Sequence, residues 1–293
     1  MTCAKVARVP VVLITGASTG IGRATALRLA GKGWTVLAGV RDPAAGERLL
    51  EGASAGELIP LTLDVTDPAH LAQAAARVEE LGARHGLQLD GGLDALVNNA
   101  GIAVAGPLEL VSPEDLRRQF DVNVFGQVAV TQALLPALRR ARGRIVFVSS
   151  IGGRVAMAFT APYAASKHAV EAIADALRVE LSSSHVRVAL IEPAAVATPI
   201  WEKGRVEAEQ TSIPAEYEEQ YGHVPAAMGK VVENLAKRGI SADQVAGTIE
   251  RALTEQRMRA RYLVGPEAKA MLLAKRLLPD LLFDRLARRT LGV

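Results

Sequence analysis

Three side chains in one short stretch could carry proton chemistry: the Ser150 hydroxyl, the Tyr163 phenol and the Lys167 ammonium. Tyr163 and Lys167 are four residues apart, so on a helix they share a face, one turn from each other. Pro162 precedes the tyrosine, and proline suits the first turn of a helix better than its interior. A cation beside a phenol favours the phenolate and pulls its pKa down from a reference near ~10. That would make a tyrosine a usable acid and base near neutral pH. The pair alone is only suggestive, and its meaning depends on the elements that position it.

Those elements alternate along the chain. Residues 9–15 are an apolar run without alternation, the pattern of a strand covered on both faces. It ends in Thr15-Gly16-Ala17-Ser18-Thr19-Gly20-Ile21-Gly22, and a helical pattern follows through Ala24, Leu27, Leu29 and Ala30. Gly16 permits a tight turn, Gly20 lets a ligand approach the backbone, and Gly22 allows close helix–strand packing. The helix N-terminus then offers free N–H groups and a positive dipole end to a pyrophosphate.

Residues 34–40 read as the second strand, followed by Arg41 and Asp42. A dinucleotide fold meets the adenosine ribose 2′ position there, and an arginine pairs with a 2′-phosphate, which favours NADP over NAD. Asp42 before Pro43 reads as a helix N-cap. Residues 58–63 form the third strand, with Asp64 and Val65 at its end and Asp64 expected to face the adenine. Residues 93–97 form the fourth, leading into Asn98-Asn99-Ala100-Gly101, which would either touch a cofactor and brace the sheet or be an ordinary loop.

Ser112-Pro113-Glu114-Asp115 starts a helix that continues to Leu134. Asn123 lies inside it, where asparagine is a poor helix former. It would hold a water or a disrupted helical carbonyl, or be a plain polar residue on an exposed turn. Residues 144–149 form the fifth strand and deliver Ser150 to its carboxyl end, where open α/β sheets bind ligands. The helix expected at 161–181 is apolar most of the way round, which invites burial on two sides and a homodimer or homotetramer interface. Residues 186–191 form the sixth strand and end in Glu192-Pro193-Ala194-Ala195-Val196-Ala197-Thr198.

Residues 201–223 bring Trp201, Tyr217, Tyr221 and several glutamates together with little periodicity, as an irregular flap over a substrate pocket would. A capped helix starts at Ser241, and residues 262–264 read as a last strand. The leucine-rich segment 266–293 holds six Lys/Arg against three Asp/Glu, equal to the whole net charge of +3. It is expected to pack on the domain or line the pocket mouth, with contact to an anionic membrane surface as the alternative.

The fold class is therefore α/β: a single doubly wound Rossmann-type parallel sheet with a C-terminal helical extension. Residues 1–293 read as one domain, with a cofactor-binding and catalytic core at 1–200 and the flap and extension at 201–293. Aromatics are only 4%, which argues against nucleic-acid binding through a basic face with interleaved rings. Cys3 is the single cysteine, which excludes an internal disulfide and a cysteine metal site, and no other metal cluster is visible. The absence of a signal-like h-region and of any uncharged run near ~18 residues gives the expectation of a cytoplasmic protein.

Thr15-Gly16-x3-Gly20-Ile21-Gly22, Asn98-Asn99-Ala100-Gly101, Ser150, Tyr163-x3-Lys167 and the Pro193 segment together resemble the short-chain dehydrogenase/reductase family, over about residues 9–200. The resemblance is strongest to its hydroxysteroid, retinol and carbonyl reductase branch. It implies NAD(P)-dependent interconversion of an alcohol and a carbonyl on a lipophilic substrate. Tyr163 would be the acid/base, and Lys167 would bind the nicotinamide ribose and lower the tyrosine's pKa. Ser150 would hold the substrate oxygen with Tyr163, and Asn123 would hold a water in the proton relay. The cofactor would lie against Gly16, Ser18, Thr19, Gly20, Ile21, Gly22, Arg41, Asp64, Val65, Asn99, Ala100, Gly101, Tyr163, Lys167, Pro193, Val196 and Thr198. Where the family has Pro-Gly this chain has Pro193-Ala194, whose Cβ would tighten the nicotinamide pocket or shift the backbone. The alternative is a non-catalytic NADP-binding sensor or scaffold, since fold alone does not decide function.

Overall fold

Both faces of every central strand are apolar, so the chain can bury them only between two helical layers. The computed structural model describes residues 9–52, 56–84, 92–202 and 213–291, and it has that arrangement. Seven parallel strands lie in the order β3-β2-β1-β4-β5-β6-β7. They are β1 Val11–Ile14, β2 Thr35–Val40, β3 Glu57–Thr62, β4 Ala95–Asn98, β5 Arg144–Val148, β6 Arg187–Pro193 and β7 Arg261–Val264. The order reverses between β1 and β4, and open α/β sheets bind ligands in the crevice at such a switch point.

The pleat divides each strand between two cores. Val12 and Ile14 of β1 join Leu29 of helix α1 (Gly20–Ala30) and Leu49 of α2 (Pro43–Leu50) on one face. Val11 and Leu13 join Val78 of α3 (Pro68–Arg84) on the other. Three more elements in the helical region after β4 are α4 (Pro113–Phe120), a π-helical stretch at Asp121–Gly126 and α5 (Gln127–Ala141). α5 and α6 (Ala161–Glu180) complete the second layer through Leu134, Val170 and Ala174.

The seven expected strands are all present, with ends displaced by one or two residues. β6 runs past Ile191 because Glu192 and Pro193 pair with Leu263 and Val264. The expected irregular flap at 201–223 is largely helical where described. A helical turn spans 199–202, a 3-10 turn spans Ala215–Tyr217, and two helices follow, α7 (Glu218–Tyr221) and α8 (Val224–Arg238). Residues 203–212 lie outside the described residues. Its aromatic rings also part company: Tyr217 and Tyr221 stack on each other at 6.3 Å, and the Tyr221 hydroxyl donates to Glu109.

Helix α9 (Ala242–Thr254) starts in a capping box between Ser241 and Gln244 and packs along α1. The C-terminal segment folds into α10 (Pro266–Leu277) and α11 (Asp280–Leu291). Ala268 and Phe283 are buried, whereas Leu273, Leu277, Leu281 and Leu282 stay exposed. No helix among the described residues is long and apolar enough to cross a membrane.

The tightest joint is the β1–α1 turn. A Cβ at Gly22 would lie 2.2 Å from the Gly16 carbonyl oxygen and 2.5 Å from Asn99 Nδ2. Gly229, inside α8, has no atom within 4 Å of the same position. Gly22→Ala is therefore expected to cost about 3 kcal/mol through backbone displacement. Gly229→Ala should gain about 0.4–1 kcal/mol through a less flexible unfolded chain. Denaturant midpoints of the two variants check both signs; equal effects would contradict this packing.

Candidate active site

β1 ends at Ile14, and Thr15 turns its hydroxyl back toward the next strand. Its Oγ accepts from the backbone N–H groups of Asn99 and Ala100, both at 2.9 Å. The Asn99 amide returns two bonds, donating to the carbonyls of Thr15 at 2.9 Å and Gly16 at 3.0 Å. Asn98 donates to Thr131 at 2.8 Å, and Gln127 donates to the Ala100 carbonyl at 2.9 Å. The Asn98–Gly101 stretch therefore braces the glycine turn through both its side chains and its backbone.

The turn itself is shaped for a close ligand. Gly16 and Gly20 have φ of 65° and 54°, the left-handed region that glycine enters without strain. Thr19 occupies the N-cap of α1 without a side-chain capping bond, and Ser18 precedes it. The first-turn N–H groups, including those of Ile21 and Gly22, are thus left for a ligand, as a pyrophosphate site requires. Thr198 lies across the turn, its Cγ2 within 3.1 Å of where a Gly20 Cβ would be. The residues present fit a dinucleotide.

At the end of β2, Asp42 caps α2, accepting from Ala44 N–H at 3.0 Å and from Arg48 at 3.5 Å. Arg41 is exposed and closes no ion pair among the described residues. Asp64 accepts from the Thr66 N–H at 2.9 Å and hydroxyl at 2.7 Å. Burial pushes its carboxyl up, but Thr66, Arg41 and His70 together hold it below its usual value. The Val65 side chain packs at Gly126, and Val196 belongs to the core and bridges Ile240. Pro193 ends β6 beside Val264, and Gly101 faces Asn123 Oδ1. The methyl of Ala194 packs against Gly265, whose φ of 96° and missing Cβ make the room for it.

Ser150, Tyr163 and Lys167 come together as the spacing predicts. They are 9%, 8% and 4% exposed, so each is held away from bulk water. Ser150 caps a 3-10 turn at Ile151–Gly153, accepting from Gly152 N–H at 3.0 Å. A Cβ at Gly152 would sit 3.3 Å from the Tyr163 ring, so glycine there lets the loop lie on the phenol. Lys167 Nζ donates to the Val148 carbonyl at 2.8 Å and lies 5.8 Å from the Tyr163 ring centroid. Trp201 meets the same ring edge-on, 5.1 Å between centroids, and Phe159 meets His223 at 6.5 Å.

The electrostatics correct one expectation. In the protein alone the Tyr163 phenol is pushed up from its ordinary value, because burial outweighs the hydrogen bond with Ser150. Burial acts on Lys167 too and pushes it down to about 8, against the opposing pull of Glu171.

Asn123 has its amide fully engaged. Its Oδ1 accepts from Ile102 N–H at 2.8 Å, and its Nδ2 donates to the Ile102 carbonyl at 3.0 Å and to Ser166 at 3.1 Å. It is buried within the π-helical stretch, which rules out the exposed-turn reading. Sequence reasoning passed over its partners. Gln119 accepts from Val104 N–H at 2.6 Å and donates to the Ile102 carbonyl at 3.0 Å, and Ser166 donates to the Tyr163 carbonyl at 2.7 Å. Their one sequence signal is a polar residue on a helix face that periodicity assigns to the core.

Known proteins carry the same organisation. Residues 10–209 match the family model for short chain dehydrogenases. An NADPH-dependent 3-dehydrocapnine reductase of Ornithobacterium rhinotracheale is 35% identical over 94% of both chains. Human retinol dehydrogenase 16 is 38% identical over 93% of this chain and 86% of its own. Among solved structures, a short chain dehydrogenase/reductase from Burkholderia phymatum in complex with NAD superposes with a TM-score of 0.75. It is 27% identical and covers 92% of this chain and 93% of its own. With the fold, the glycine turn and the Ser150–Tyr163–Lys167 cluster agreeing, the chain belongs to the short-chain dehydrogenase/reductase family of oxidoreductases.

Proposed function

We propose that this oxidoreductase prefers NADP(H) and interconverts an alcohol and a carbonyl on a lipophilic substrate, with Tyr163 as the acid/base. The observation that carries this reading is the buried Ser150–Tyr163 hydroxyl pair, with Lys167 one turn along the same helix. When bound, the nicotinamide supplies or accepts the hydride, the step that no side chain performs. Tyr163 then needs only to give a proton to the carbonyl oxygen in reduction, or take one from the alcohol in oxidation. The Ser150 hydroxyl, set beside the phenol, orients that oxygen.

The energetics favour a cation close by. Bringing a phenol from ~10 to ~7 requires about 4 kcal/mol of preferential phenolate stabilisation. Burial raises the requirement for Tyr163, and the same burial strengthens the attraction of Lys167 once charge develops on the phenol oxygen.

Lipophilicity is supported by the surroundings of the phenol. Trp201 covers its ring, Val155 is buried nearby in the chain, and Phe159 holds a left-handed φ of 64° that a bulky side chain rarely adopts. Relatives named for retinol and 3-dehydrocapnine agree with such a substrate. NADP is supported by the exposed Arg41, which closes no ion pair among the described residues, by the capping role that occupies Asp42, and by the relative named NADPH-dependent. A solved neighbour holds NAD, so Arg41 is where the preference is tested.

Tyr163→Phe is expected to lower kcat/KM by about 10²–10⁴-fold while retaining NADPH binding. Steady-state kinetics against long-chain ketones, steroids and retinoids, with NADPH fluorescence titration, measure both. Full turnover in that variant would sink the assignment. Arg41→Asp should move the NADPH/NADH ratio of kcat/KM toward NADH by about 10–100-fold, the worth of a charge-assisted hydrogen bond. An unchanged ratio would remove Arg41 from the specificity argument.

A further inference from the structure

Tyr163, Lys167 and Glu171 recur at every fourth position of α6, and Glu171 is as buried as the other two, 5% exposed. It does not face a private counter-ion. The Arg261 Nε lies 3.1 Å from Glu171 Oε2 and 3.0 Å from Glu192 Oε1, so two carboxyl groups from α6 and β6 converge on one N–H. Arg154 also approaches Glu192 Oε1, at 3.1 Å. The other arm of Arg261 is taken by Asp175 at 2.6 Å, which Arg178 also contacts at 2.7 Å. Ser149, at the end of β5, is the remaining polar neighbour. A Cβ at Gly153 would fall 2.8 Å from its Oγ and 3.0 Å from Glu171 Cγ.

Glu192 Oε2 is buried without a hydrogen-bond partner among the described residues, and the Ser149 hydroxyl is the polar group set against the Glu171 carboxyl. Two buried carboxylates that meet at one Arg261 N–H, with Glu192 alone drawing on a second arginine, Arg154, would repel strongly if both were ionised. Glu192 also directly precedes Pro193, so the cluster links the catalytic helix to the strand end beside the cofactor turn.

We propose that Glu171 is a positioning residue for this reaction, its carboxyl, set against Glu192 across Arg261, controlling the charge on Lys167 one helical turn away. The proposal rests on the roles given above to Tyr163 and Lys167. Burial, then Glu192, push the Glu171 carboxyl up to about 7, with Ser149 and Arg261 opposing. As pH rises through that value Glu171 ionises, and its carboxylate holds Lys167 cationic where burial alone would discharge it.

Glu171→Gln keeps the size of the side chain and removes its charge. In protein labelled with ¹³C at the lysine Cε, the Lys167 titration should move down by about one pH unit in this variant. The alkaline limb of kcat/KM, measured with NADPH and whichever ketone the wild type turns over, should move with it. An unmoved Lys167 titration in a folded variant that binds NADPH would overturn the proposal, since a structural role lowers activity uniformly with pH. Should Glu171→Gln fail to fold, Glu192→Gln replaces it. Relief of the like charge should shift the acid limb to lower pH and leave the alkaline limb in place, and an unmoved acid limb would count against the proposal. Full turnover by Tyr163→Phe would overturn the underlying assignment instead, an outcome the Lys167 titration does not depend on.

Discussion

The structure depends on one constraint, the burial of ionisable groups along one face of α6. Tyr163, Lys167 and Glu171 sit within a sheet–helix interface whose other occupants are Val170, Ala174 and the strands β5 and β6. Desolvation pushes each toward its neutral form: the phenol and the carboxyl upward, the ammonium downward. Neighbours oppose burial at each: Ser150 at the phenol, Glu171 at the ammonium, and Ser149 and Arg261 at the carboxyl. Perturbed groups of this kind cluster at functional sites, because a site excluded from water strengthens every remaining interaction.

The rest of the crevice is rigid around that column. Thr15, Asn99 and Ala100 close a ring of hydrogen bonds across the β1–β4 switch point, and Gly22 leaves no space for a side chain within it. On the far side, Asn123, Gln119 and Ser166 fix the Ile102–Val104 backbone and tie it to the Tyr163 carbonyl. A hydride acceptor and a proton donor must meet with little tolerance for displacement, and such bracing supplies that geometry without motion. The Ala194 methyl fits the same logic. It packs where Gly265 lacks a side chain.

Much of this was legible in the sequence, for reasons that can be named. Strands buried on both faces read as unbroken apolar runs, and the glycine pattern of residues 16–22 has one efficient physical use. The strand ends were misjudged by a residue or two because ladder pairing sets them, as Pro193 opposite Val264 illustrates. The flap was expected to be irregular because its described helical elements, Ala215–Tyr217 and Glu218–Tyr221, are too short to show a period. The π-helical stretch was illegible, since it depends on Val65 packed at Gly126 and on the Ile102 backbone that Asn123 holds. Spacing reveals the cation beside the phenol but not the burial, which raises the phenol in the protein alone. Glu171 was passed over because a glutamate on a helix usually reads as a solvated face; only the sheet order puts Arg261 and Glu192 against it.

Burial raises the phenol in the protein alone, and under the proposed function a cationic nicotinamide would then draw it down. A ¹³Cζ-tyrosine NMR titration of Tyr163, assigned by difference from Tyr163→Phe, tests this most directly. The account predicts titration above the ordinary tyrosine value near ~10 in the protein alone, falling when NADP⁺ is added. Titration below that value in the protein alone, or no response to NADP⁺, would contradict it.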